Sequence, residues 1–206
     1  MVARATSREF KPFVKVPANA ATLRDWLGQA GEFDCEIGCG VGWHPIQYAK
    51  ANPGRRLLAI EHTASKFARF ERRLERHQLA NLRGFHGNAI SVLPALVGAG
   101  QVDRYIILYP NPQPKAQQAN RRWHKMPFMQ FLRTSLKPKG LLTMATNQQW
   151  YMAEAVADLC EHWGFELVSQ REISLHHQPD WAFRTHFEKK YLLRGDAIFD
   201  WTVRKP

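Results

Sequence analysis

Cys35-Glu36-Ile37-Gly38-Cys39-Gly40-Val41-Gly42 follows an apolar run and precedes a helical one. Three glycines at alternate positions between a strand and a helix form a nucleotide-type turn, in which a ligand can approach the backbone closely. A dinucleotide fingerprint needs GxGxxG, whose third glycine lets the helix come close to the sheet. Here the third glycine comes one position early and Trp43 fills the expected site, so NAD and FAD fit poorly. Glu61 closes the next apolar run about twenty residues on, where a carboxylate can accept both hydrogen bonds of a ribose diol. The glycines alone would also suit a turn that merely needs flexible backbone, and Glu61 alone an exposed strand end. The two features together are far more specific.

Outward from this turn, short apolar runs alternate with longer amphipathic ones, the pattern of strands and crossover helices in a doubly wound α/β sheet. Strands are predicted at Phe33 to Ile37, Arg56 to Glu61, Leu82 to His86, Arg104 to Tyr109, Gly140 to Ala145, Glu166 to Glu172 and Ala197 to Arg204. The clearest helix runs from Ala64 to His77: Phe67, Phe70 and Leu74 recur on one face, and Lys66, Arg69, Arg72, Arg73 and Arg76 fill much of the rest. Pro94 and Pro127 blur the bounds of two other helices. Ser174 to Gly195 has no regular period and reads as a long functional loop, after which the last strand is expected to insert antiparallel at the sheet edge.

The 206 residues suit one domain spanning 1–206, with residues 1–18 expected to form a flexible basic segment. The formal net charge of +11 is spread over several segments and favours a polyanionic partner, nucleic acid or an anionic surface. Met1 to Val16 lacks an apolar signal core and no apolar run reaches membrane-spanning length, so a cytoplasmic protein is expected. Cys35, Cys39 and Cys160 read as free thiols, and no metal site is assigned.

A second constellation stands at the end of the fourth predicted strand: Tyr109-Pro110-Asn111-Pro112-Gln113-Pro114-Lys115, followed by Asn120-Arg121-Arg122. Prolines on both sides of Asn111 stiffen the backbone that carries its amide. In open α/β sheets ligands bind beyond the carboxyl ends of the strands, which is where this segment lies. Asn88, after the third strand, can either read an adenine edge or cap the helix beginning near Ala89.

The ExGxGxG turn resembles the first motif of class I methyltransferases, whose Rossmann-like fold has a seven-stranded, mostly parallel sheet with helices on both faces. Tyr109 to Lys115 with Arg121 and Arg122 is similar to the FPDPWPK...KRR stretch of the tRNA guanine-N7 methyltransferase family. Met144-Ala145-Thr146-Asn147 resembles that family's ATD, and Thr185-His186-Phe187-Glu188 through Leu193-Arg194-Gly195 its TKFE...RLG. The resemblance implies S-adenosylmethionine over Gly38, Gly40 and Gly42, with Glu36, Glu61, Asn88 and Asn111 also at the cofactor. It implies Lys115, Arg121, Arg122, Asn147, Thr185 and Glu188 at the substrate, and Asn111 as the catalytic residue between the two. The family has aspartate where Asn88, Asn111 and Asn147 stand, tryptophan at Gln113 and lysine at His186.

Guanine N7 carries a free lone pair, so its methylation requires no base; alignment alone can supply several kcal/mol of the barrier. An amide at 111 therefore permits turnover, although it alters which edge of a base can be read. Asn111-Pro112 also resembles the start of the NPPY motif of amino-methyltransferases, but Gln113 and Pro114 do not complete it. The other readings are methylation of another nucleobase or a non-tRNA acceptor, and an RNA- and cofactor-binding protein without transfer. The expected partner is RNA, a tRNA by resemblance, held through the cations of 66–76 together with Arg121, Arg122, Lys125, Lys189, Lys190 and Arg194. Of the tryptophans, Trp181 is expected with Phe183 as a base-stacking surface, and Trp123, Trp150, Trp163 and Trp201 as core.

Overall fold

Strand and helix alternate as the apolar spacing predicts, and the strands assemble into one seven-stranded sheet. The computed structural model describes residues 9–12, 18 and 20–206. The elements are α1 (Ala20–Leu27), β1 (Glu32–Ile37), α2 (Trp43–Ala51), β2 (Arg55–Glu61), α3 (Ala64–His77), β3 (Leu82–His86) and α4 (Ala89–Leu96). They continue with β4 (Val102–Leu108), α5 (Phe128–Ser135), β5 (Leu136–Thr146), α6 (Gln149–Ala157), β6 (Glu166–Ile173), α7 (His186–Leu193) and β7 (Ile198–Arg204). Two 3-10 turns, Ala116–Arg121 and Trp123–Lys125, lie between β4 and α5.

The strand order is β3-β2-β1-β4-β5-β7-β6, with β1 to β5 parallel to one another and β7 antiparallel to β5 and β6. Both faces are covered. Along β2, Leu58 and Ile60 join a core with α1, α4, α5 and α6, while Leu57 and Ala59 pack with α2 and with Phe70 of α3. This follows from the alternation of side chains across a strand. The order reverses between β1 and β4, whose carboxyl ends therefore flank the crevice in which such sheets bind ligands.

Two expectations are corrected. β7 does not add at the edge; it inserts between β5 and β6, because Ile198, Phe199, Trp201 and Val203 are all buried and need a partner strand on either side. β6, exposed along most of its length and bearing Glu166, Arg171 and Glu172, suits the edge instead. The stretch from Ser174 to Gly195 is not irregular throughout, since its last third is α7. There Thr185 is the N-cap, its hydroxyl accepting from the Glu188 amide at 3.0 Å.

Pro94 lies inside α4 and Pro127 is the N-cap of α5. Of the basic segment expected over residues 1–18, only 9–12 and 18 are among the described residues. There Phe10 packs edge-on against Phe128 at 5.3 Å. Among the described residues no helix is long and apolar enough to cross a membrane.

Gly42 joins the turn after β1 to α2 in left-handed conformation (φ 79°), and a Cβ there would lie 1.9 Å from the Phe70 ring. Gly40 is also left-handed (φ 61°), but a Cβ there would meet nothing within 4 Å. Gly40→Ala should therefore cost backbone strain alone, about 1 kcal/mol. Gly42→Ala adds a steric conflict in the core and should cost at least about 2 kcal/mol more. Denaturant unfolding of the two variants checks the order.

Candidate nucleotide and base site

The glycine turn is fixed to the sheet by its own backbone: the amides of Gly38 and Cys39 both donate to the Ile60 carbonyl, at 2.8 and 3.1 Å. The next amide, Gly40, donates to Glu61 Oε2 at 2.9 Å, and the Thr63 amide donates to Oε1 at 2.7 Å. Burial favours the neutral Glu61 carboxyl, but these bonds and the charge of Lys66 outweigh it and hold the group below its usual value. A carboxylate fixed in this way keeps a lone pair on each oxygen for a diol. Glu36, buried on β1, meets His44 Nδ1 at 2.7 Å, so α2 orients it. Cys35 and Cys39 are free thiols raised well above their ordinary range by burial first and Glu36 second, which disfavours thiolate chemistry. Asn88 caps α4, its Oδ1 accepting from the Ile90 amide at 3.0 Å and its NH2 still free to donate elsewhere.

At the end of β4 the chain turns through two left-handed non-glycine residues, Tyr109 (φ 52°) and Gln113 (φ 50°), with exposed Asn111 between them. Strain of this kind needs surrounding structure to hold it. The Asn111 carbonyl accepts from the Gln113 amide at 3.1 Å. Arg122 then grips the turn, donating from Nε and Nη2 to the Gln113 carbonyl at 3.2 and 3.1 Å and from Nη1 to Glu154 at 2.6 Å. Arg122, expected at the substrate, is thus buried and internally paired. Lys125 is likewise bound to Glu154 and Asp158, at 3.0 and 2.8 Å.

Tyr109 is held from the far side by α7 and β7. Its hydroxyl is buried beside Arg184, and burial pushes its pKa upward. Arg184 Nε donates to Glu188 at 3.1 Å while Nη1 pairs with Asp200 on β7. Glu188 also accepts from Trp181 Nε1 at 2.8 Å. Thr185 and Glu188, expected at the substrate, therefore form the cap and buried wall of the site, and Trp181 belongs to that wall. Arg184 and Asp200 were not singled out from the sequence, although the Thr-x-x-Glu spacing of 185–188 is a helix-start signal.

His186 at the start of α7 meets Trp43 edge to face, 4.2 Å between ring centres, which brings α7 to the mouth of the glycine turn. Burial and the charges of Arg73, Lys189 and Arg69 lower the His186 pKa, so the basic face of α3 reaches the same rim. Lys66, Arg69, Arg72 and Arg76 are exposed there, as are Lys189 and Lys190 on α7 and Lys115 and Arg121 beyond β4. Arg194 is paired with Asp196. Asn147 follows β5, half-buried, at the same end of the sheet.

A family model described as "Putative methyltransferase" matches residues 31–201. A tRNA (guanine-N(7)-)-methyltransferase of Thermus thermophilus is 31% identical over 177 residues, 86% of this chain and 55% of that protein. The enzyme of the same name from Nitrosococcus oceani is 31% identical over 184 residues, 89% of this chain and 75% of its own length. The chain thus spans little more than half of one relative and three quarters of the other. Among solved structures, an antibiotic-related methyltransferase superposes with a TM-score of 0.69 at 16% identity, covering 95% of this chain and 98% of that one. The 16S rRNA methyltransferase KamB gives 0.63 at 18% identity, covering 97% and 96%. These likenesses show that the fold is that of class I methyltransferases.

Because its folded pKa is depressed, Glu61 contributes stability in full above its unfolded value of about 4.3 and loses it as pH falls through the lower folded value. Glu61→Gln should therefore flatten the acid limb of stability below about pH 4.3. Denaturant unfolding between pH 3 and 6 measures this, and an acid limb as steep as that of the unsubstituted protein would contradict the assignment.

Proposed function

The chain belongs to the tRNA guanine-N7 methyltransferase family, and from that membership and the geometry of the crevice we propose that it transfers a methyl group from S-adenosylmethionine to guanine N7 of a tRNA. The residues fit the cofactor. At Gly38 and Gly40 an added Cβ would meet no protein atom within 4 Å, leaving open backbone for the methionine portion to lie against. Glu61 offers its remaining lone pairs to the ribose, Glu36 lies beneath the turn, and Asn88 keeps an NH2 group for the adenine. S-adenosylmethionine supplies the electrophilic methyl group.

The choice of atom follows the family, and the observation that carries the site reading is Asn111, exposed at the end of β4 with its carbonyl held by the Gln113 amide. Its NH2 suits guanine O6, the acceptor beside N7, and the second lone pair of its carbonyl can stand in for the acceptor of the family's aspartate. N7 has its lone pair free, so the remaining work is alignment. Asn111 sets the base edge, Asn147 approaches from β5, and Thr185 and Glu188 shape the wall through α7. Lys115, Arg121 and the cations of α3 meet phosphates, which position the RNA without reading its sequence. We read residues 1–206 as one domain acting on RNA in the cytoplasm.

Labelled methyl transfer to tRNA lacking this modification, followed by nucleoside analysis, should yield 7-methylguanosine. Methyl on an exocyclic amine would replace the reading, and cofactor binding without transfer would leave a binding protein. Asn111→Asp keeps an acceptor for the Gln113 amide but removes the NH2 donor. Because the family carries aspartate here, it should leave 7-methylguanosine as the product with kcat/KM unchanged or raised and stability unchanged, and a loss of about tenfold or more would show that this chain needs the amide donor.

A further inference from the structure

Trp150 is, with Phe187 of α7, one of two large aromatics exposed among the described residues: it stands in the first turn of α6, just after β5, and is 40% exposed. Its orientation is nevertheless fixed on three sides. The Arg122 guanidinium covers one face, 4.8 Å from the ring centre. Nε1 donates to Gln148 Oε1 at 3.2 Å, and an edge meets the buried Tyr151 ring, 5.7 Å away at 78°. Arg122 cannot drift from beneath it, because Glu154 and the Gln113 carbonyl hold all three guanidinium nitrogens. With these contacts made, 40% of the residue still meets solvent.

An indole backed on one face by a fixed guanidinium and still open to solvent can serve as a stacking platform, and the cation behind it polarises the ring. The same Arg122 that backs the ring also holds the turn that presents Asn111, so platform and base-reading amide form one rigid unit. An exposed Trp for packing alone would need neither the guanidinium nor the bond to Gln148.

We propose that Trp150 stacks on the methyl-accepting guanine, holding it unpaired against the Asn111 turn. This rests on the reading of the crevice as a base site. The stack acts between neutral π-faces, so it adds affinity without adding to the salt dependence that phosphate contacts create.

The test uses the full chain and two short single-stranded RNAs, one carrying a single guanosine and the other an abasic nucleotide at that position. Trp150→Leu should weaken binding of the guanosine RNA about tenfold or more while the slope of log Kd against log salt stays the same. Trp150→Phe should restore most of the loss, and the abasic RNA should bind all three proteins alike. Cofactor affinity and Tm of Trp150→Phe should match the unsubstituted protein, which keeps the test valid should the leucine variant fold poorly. Equal binding of the guanosine RNA by Trp150→Leu, a changed salt slope, or a Trp150 effect that persists on the abasic RNA would overturn the proposal. Binding needs no methyl transfer, so stacking without turnover would refute the proposed activity and leave the platform standing.

Discussion

The Gly40 amide and the Glu61 carboxylate meet at 2.9 Å, and the geometry of the site depends on that contact. It becomes possible because Gly38, Gly40 and Gly42 all take positive φ, which aims successive amides at the end of β2 instead of along a strand. The ladder between β1 and β2, running from Glu32↔Arg55 to Ile37↔Ile60, brings the two strand ends level. A register shifted by one residue would turn Glu61 to the other side of the sheet. The crevice is thus made by strand register first and side-chain chemistry second.

Two paired arginines, Arg122 buried and Arg184 half-buried, extend this order to the other wall. Arg122 ties the turn after β4 to α6, and Arg184 ties α7 to β7 beside Tyr109. Each guanidinium faces carboxylates; removing one partner of a buried pair typically costs about 3–5 kcal/mol. Between them they hold a segment with two left-handed non-glycine residues. Part of the strongly positive charge is therefore internal framework, and the surface left for a polyanion centres on α3 and the start of α7.

The α/β alternation, the three-glycine turn and the carboxylate twenty-odd residues beyond it were legible because each is a local demand. Left-handed turns need glycine, buried parallel strands need continuous apolar runs, and α3 repeats its apolar face at helical spacing. The 185–188 cap was equally local, yet it was hidden inside a stretch without apolar period. Arg184 and Asp200 were not legible, because sixteen residues and a helix separate them in the chain and only the insertion of β7 joins them.

By itself the sequence determined the fold class, the glycine turn and the Glu61 partnership, since torsional and apolar periodicities act within a few residues of one another. Tertiary structure alone decided which charged and aromatic side chains face solvent. Arg121 and Arg122 are neighbours of the same type, one exposed and one buried on Glu154; Trp150 and Trp201 both read as core, one open at the crevice and one sealed between strands. Exposure is set by which distant elements pack across a residue, and no local pattern encodes that.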